Sequence, residues 1–231
     1  MATPAPTYQA PVAQQPANVR TEFMTRVYVR LMVAIAVFIG VQYLLFQTGI
    51  AEAAHSLVFG GTNWLVFLGG FMIVSWLANS MTRRATSPTV AYGGFALLIV
   101  ANALLFSAPL FEAFLQDSGI ISLAAQISLI AFAGLSAIAI LSAKDFTFLR
   151  PLLMWGGFLA LGLIVLSALF GFNLGVWFPI AMIGFAGGAI LYDTQIVYRT
   201  YPPQMATQAA MSLFSSIALL FWYVLQLLLR R

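Results

Sequence analysis

Seven stretches of the chain are almost continuously apolar, and short polar breaks separate them. They run from Val27 to Phe46, Asn63 to Ser80, Thr89 to Leu110, Gly119 to Ser142, Pro151 to Phe170, Val176 to Tyr198 and Gln208 to Leu229. A helix rises about 1.5 Å per residue, so about 20 apolar residues cross the ~30 Å hydrocarbon core of a bilayer. Hydrocarbon offers no water to backbone N–H and C=O groups, so each crossing segment pairs its own as a helix. The pattern predicts an all-α integral membrane protein, a bundle of seven transmembrane helices. Pro88 stands just before the third stretch, where a helix tolerates a missing N–H.

Residues 1–22 depart from the pattern. They are rich in Pro, Ala and Gln and show no apolar period, which predicts a disordered tail on the cytoplasmic side. Residues 23–231 are predicted to form one transmembrane domain. Arg20, Arg26 and Arg30 flank the start of the first stretch, and Ala51-Glu52-Ala53 offers a weak cleavage site, features that a signal peptide shares. The run is longer than a signal core, and more spans follow it, so it reads as a retained helix.

Composition agrees with this reading. Of the 231 residues, 62% are hydrophobic and 7% charged, where a soluble domain carries about 25% charged residues. The net charge is +4, but the basic residues are scattered through short loops, which argues against nucleic acid as a partner. Cysteine is absent, so disulfides and thiol chemistry are excluded, and the single His55 cannot build a histidine cluster. His55 is expected to be solvated in an outside loop spanning residues 47–62.

The basic residues predict orientation. With the N-terminus inside, Arg20, Arg26, Arg30, Arg83, Arg84, Lys144, Arg150 and Arg199 all fall on the cytoplasmic side, and the outer connections carry no Lys or Arg. That asymmetry is the positive-inside rule. Only Arg230 and Arg231 fall outside, if the seventh stretch crosses fully as expected rather than re-entering.

One residue stands against the apolar background. Asp193 is the only acidic residue in any predicted span, about five residues from the inner end, hence roughly 8 Å deep. A carboxylate there must meet a wet cavity, a cation or a proton, and such residues mark functional sites. Burial disfavours its charge and a nearby cation favours it, so a carboxylate balanced between the two can switch. Arg83 and Arg84 lie at the same level at the end of the second span and are the candidate cations; the competing reading is that they only anchor the helix. Gln195, Asn79, Asn102 and Gln126 are expected to join helices, and Thr194 to bond back to its own helix. Gly184 and Gly188 form a small-xxx-small pair suited to close helix packing, and Gly157, Gly162, Gly134, Gly93 and Gly94 are expected to let other backbones approach. The sequence carries no protease, hydrolase or phosphate-binding motif, so no enzyme, catalytic residue or cofactor is predicted.

The chain resembles the Bax inhibitor family of transmembrane proteins, including its bacterial YccA-like and YetJ-like branch. Phe23-Met24-Thr25-Arg26-Val27-Tyr28 resembles the start of its first helix, and Phe106-Ser107-Ala108-Pro109-Leu110-Phe111 the end of its third. Phe132-Ala133-Gly134-Leu135-Ser136 and Ala143-Lys144-Asp145-Phe146 are similar to the fourth helix and its exit. Leu191-Tyr192-Asp193-Thr194-Gln195 matches the most specific segment, on helix six. The resemblance implies six helices around a central C-terminal helix, a bacterial inner membrane, and a pH-sensitive calcium leak. It implies that an aspartate on helix six and one on helix seven share a proton, with a helix-two arginine latching onto the first. Asp193 matches the first aspartate. The helix-seven segment reads Leu213-Phe214-Ser215-Ser216, so Ser216 stands at the second and the titrating pair is absent. Weakened or shifted pH gating follows as an expectation.

Two functions remain open on the sequence. One is a passive leak, with calcium as the transported ion and Asp193, Ser216, Arg83 and Arg84 along its gate. The other is a non-conducting regulator of a membrane partner, such as a membrane-anchored quality-control protease, engaged through the tail.

Overall fold

A computed structural model describes residues 10–59, 63–85, 87–142 and 144–230. The fold is all-helical: α1 (Ala17–Gln47), α2 (Ile50–Phe59), α3 (Asn63–Arg83), α4 (Pro88–Gln116), α5 (Gly119–Leu141), α6 (Leu149–Phe170), α7 (Trp177–Thr200) and α8 (Ala206–Leu228). All but α2 are long and apolar enough to cross a membrane. Large apolar side chains cover the outside: Val66, Ile130 and Trp155 are each more than 70% exposed. Water would not tolerate so continuous an apolar surface, whereas lipid does. The chain is a multi-pass membrane protein.

Two helices lie inside the bundle. α8 packs against α1, α3, α4, α5 and α7. Its residues Leu213, Ile217, Leu220 and Val224 recur at helical spacing and are buried. The C-terminal helix is therefore central, but α4 shares the interior and is the more buried of the two. Phe106 of α4 stacks on Phe221 of α8 with centroids 5.5 Å apart and meets Phe38 of α1 edge-on at 5.5 Å. α6 packs chiefly on α7 at the periphery.

Chain ends and breaks follow local chemistry. Ser87 accepts the Val90 N–H at 3.4 Å and Pro88 opens α4, as its position in the sequence predicts. α4 continues past Pro109 to Gln116, beyond the predicted end at Leu110. Proline removes a helix donor. Near this break Gln42 Nε2 donates to Ala103 O at 2.7 Å and Ser107 Oγ to Leu104 O at 2.7 Å.

Three expectations need correction here. The tail predicted over 1–22 is structured from Val12: Val12–Gln14 form a 3-10 turn, Val12 is fully buried, and its N–H donates to Tyr201 O at 2.9 Å. α1 already begins at Ala17, where a polar but helix-competent run carries a Glu22–Arg26 pair at 3.8 Å. Residues 1–9 lie outside the described residues. Second, the loop predicted over 47–62 contains α2, and His55 is not simply solvated. Its Nε2 lies 2.6 Å from Glu112 Oε2, and its ring packs on Phe59 and Phe111. Third, the close helix approaches do not involve the Gly184 and Gly188 pair. A Cβ on Gly184 would meet nothing within 4 Å, and one on Gly188 only Leu153 at 3.7 Å. The tightest contact is at Gly94, one of the glycines expected to admit a neighbour: a Cβ there would collide with Thr82 and come within 2.8 Å of Ala78 O, so α3 and α4 touch backbone to backbone, while a Cβ on Gly156 would come within 2.9 Å of the Phe185 ring.

Candidate functional site

α7 presents a buried stripe of Ala186, Ile190, Thr194 and Val197, spaced at three to four residues, toward its neighbours. Asp193 borders that stripe and is half-buried. α7 extends to Thr200, seven residues beyond Asp193 (200 − 193), so the carboxylate lies roughly 10 Å from the helix end. Facing it on α8 is Ser216, 4% exposed. The Ser216 hydroxyl donates to Asp193 Oδ2. That hydroxyl has one proton, and its other acceptor in reach is Ser212 O, at 3.3 Å. The carboxylate is the stronger partner, because hydrogen bonds to ionised groups are the stronger ones.

The two arginines stand apart from this contact. Arg83 and Arg84 are exposed at the end of α3, and among the described residues no cation lies within 4.0 Å of the Asp193 carboxylate. Tyr201, just past the end of α7, brings its phenol beside Ser212. Burial pushes the Tyr201 phenol above its ordinary pKa, so it stays neutral and can donate a hydrogen bond. The Val12 contact with Tyr201 O places the N-terminal turn directly under this end of α7.

The polar neighbours of Asp193 hold the same end of the bundle. Gln195 accepts the Phe146 N–H on Oε1 at 2.6 Å and donates from Nε2 to Lys144 O at 2.8 Å, which fastens the α5–α6 loop to α7. Arg199 Nη2 reaches Lys144 O at 3.4 Å. In that loop the Asp145 carboxylate accepts the Thr147 N–H at 2.9 Å, which holds its carboxyl below the usual range. Gln208 at the start of α8 donates to Thr82 O at 3.1 Å, tying α8 to the end of α3.

The sequence reading placed these polar groups less well than the acid. Thr194 does not bond back within α7; its Oγ1 meets Ser136 Oγ of α5 at 3.3 Å, a buried interhelical contact. Asn79 and Asn102 bond within their own helices, to Ser75 O and Leu98 O at 2.9 Å, rather than joining two. Gln126 faces outward. Gln42 and Tyr201 escaped notice. The signal for Gln42 was a lone amide inside an otherwise apolar span. Among the described residues no group of three or more His, Asp or Glu side chains is placed to hold a metal ion.

A bundle of seven apolar helices that buries one carboxylate against a neighbouring hydroxyl defines a class: a polytopic membrane protein with a polar lock between two of its helices. The sequence agrees with a particular family. The family model described as "Inhibitor of apoptosis-promoting Bax1" matches residues 20–231, nearly the whole chain, and the chain belongs to that Bax inhibitor family. Among curated proteins none matches it.

Proposed function

We propose that this protein is a passive calcium leak in a bacterial inner membrane, of the YccA-like and YetJ-like kind, with its N-terminus in the cytoplasm. Asp193 is its gating carboxylate. The observation that carries this reading is the Asp193–Ser216 hydrogen bond, which joins a peripheral helix to the central one at one end of the bundle. Breaking it frees α7 to move relative to α8 and hydrates the carboxylate, which then offers a cation its first oxygen ligand. Arg83, at the end of α3, forms no ion pair with the carboxylate in this closed arrangement and is the cation that could latch onto it once it is freed. Arg84 is left as an anchor at the membrane surface.

Ser216 replaces the second acid of the pair that the family resemblance implies. A pair of carboxylates shares a proton because two like charges in contact repel. A serine donates without titrating, so the closed state here is held by a hydrogen bond that needs no bound proton. The gate is correspondingly less sensitive to pH.

The alternative, a non-conducting regulator of a membrane-anchored protease, relied on the N-terminal tail as its docking element. Val12 and its turn are engaged by the protein's own bundle. That leaves the leak the better-supported reading. Purified protein in liposomes containing a calcium dye tests it. Calcium entry that changes with Asp193→Asn supports the leak, and entry at the rate of protein-free vesicles, or unchanged by the substitution, overturns it.

A further inference from the structure

A cavity of about 340 Å³ lies between α1, α4, α5 and α8, and runs along α8 from the level of Ser216 toward Phe221, away from the α7 end that carries Asp193. α1 and α5 both pack on α8 but hardly on each other, and the cavity occupies the gap between them. Its flanks are lipid-facing: Ile39 of α1 is 61% exposed and Leu129 of α5 is 45% exposed. The cavity therefore opens sideways, into hydrocarbon, rather than toward water. Phe38, Phe106 and Phe221 line its inner wall.

Two lining residues do not fit a purely apolar crevice. Gln42 and Ser128 are 7% and 2% exposed, and Gln42 Oε1 and Ser128 Oγ are buried without a hydrogen-bond partner among the described groups. Gln42 cannot cure this by flipping its amide, because its Nε2 is already committed to Ala103 O at 2.7 Å. Its oxygen is an acceptor only, and Ser128 Oγ both donates and accepts. Unpaired buried oxygens in a membrane bundle are costly, since lipid chains supply no partner. Gln42 is five residues from the end of α1, roughly 8 Å along the helix, so an alcohol that reaches it carries its hydroxyl below the membrane surface.

We propose that this cavity is a lateral binding site for a neutral single-chain lipid with a hydroxyl group. The chain lies against the phenylalanine wall, and the hydroxyl donates to Gln42 Oε1 with Ser128 Oγ as its second partner. The ligand is neutral because no charged side chain lines the cavity, and an unpaired charge in so apolar a place is prohibitively desolvated. It is single-chained because a volume of about 340 Å³ is at the small end of ligand pockets. It carries an O–H because the fixed unmet group is an acceptor. Both oxygens are set in the wall, so the hydroxyl reaches them as the lining side chains shift around it.

The test uses the full chain in lipid nanodiscs and photoreactive dodecanol, with the matching alkane as control. The site predicts labelling confined to residues of α1 and α5 around Gln42 and Ser128, strong for the alcohol and weak for the alkane. Gln42→Leu should lower alcohol labelling about fivefold, the change that one neutral hydrogen bond of about 1 kcal/mol represents. Ala125→Trp fills the cavity without touching either oxygen and should abolish labelling, and melting curves establish that both variants are folded. Equal labelling by alkane and alcohol reduces the cavity to an apolar crevice and overturns the proposal. So does labelling spread over Trp155 and the rest of the lipid-facing surface, labelling unchanged in folded Gln42→Leu, or no labelling above background, which would leave water as the partner of both oxygens.

Discussion

Ser216 of α8 donates its hydroxyl to the carboxylate of Asp193 on α7. The bond couples the central helix to a peripheral one at a point where neither side chain has a better partner among the described residues. Removing the hydroxyl strands the carboxylate. Ser216→Ala is expected to lower stability by about 1–3 kcal/mol, the range for a buried polar group deprived of its hydrogen bond. Thermal unfolding in detergent checks it, and a melting temperature equal to that of the wild type contradicts it.

Gln195 and the α5–α6 loop form a second, separable device. Gln195→Leu deletes both bonds to the backbone at Lys144 and Phe146 and leaves those groups to solvent. The helices should survive, with a loss of about 1–2 kcal/mol. Trypsin should cut after Lys144 markedly faster in the variant, a change visible by mass spectrometry of timed digests.

The same loop has a predictable response to acid. The Thr147 N–H holds the Asp145 carboxyl below its usual range, so the folded value lies under the unfolded one. Its contribution is present above the unfolded value of about 3.9 and is lost as pH falls through the folded value. Exchange protection of the Thr147 amide should therefore stay level from neutral pH down to about 5 and drop only in stronger acid. Asp145→Asn should flatten that acid drop.

Gly94 and Gly184 provide a contrast between two glycines in similar sequence surroundings. A Cβ at Gly94 meets Thr82 and the Ala78 carbonyl, so Gly94→Ala must push α3 from α4, at about 1–3 kcal/mol. Gly184→Ala meets open space and should be neutral or slightly stabilising, since alanine favours helix. Paired melting curves decide between this and a packing role for Gly184, which expects Gly184→Ala to lower the melting temperature as well.

Much of the architecture was legible because the bilayer simplifies it. Seven apolar runs gave seven long helices, since hydrocarbon leaves a crossing segment no other way to pair its backbone. The ends were less legible. The first turns of α1 carry Asn18, Arg20, Thr21 and Glu22, which break an apolar period without breaking a helix. α2 was missed because ten residues are too few for a span and its packing rests on a long-range pair, His55 with Glu112. Asp193 could be found by polarity alone, but its partner could not. The arginines were attractive as charges, yet they lie at the exposed end of α3, while Ser216 comes within reach only because α8 runs up the middle of the bundle.

The central claim is that a non-titrating serine holds the Asp193 gate. Calcium flux into dye-loaded liposomes, followed between about pH 6 and about pH 8 for the wild type and for Ser216→Asp, tests it most directly. The account predicts a shallow pH dependence in the wild type and a steep one in the variant, where two carboxylates face each other and must share a proton. A steep switch in the wild type, or a variant as flat as the wild type, would contradict it.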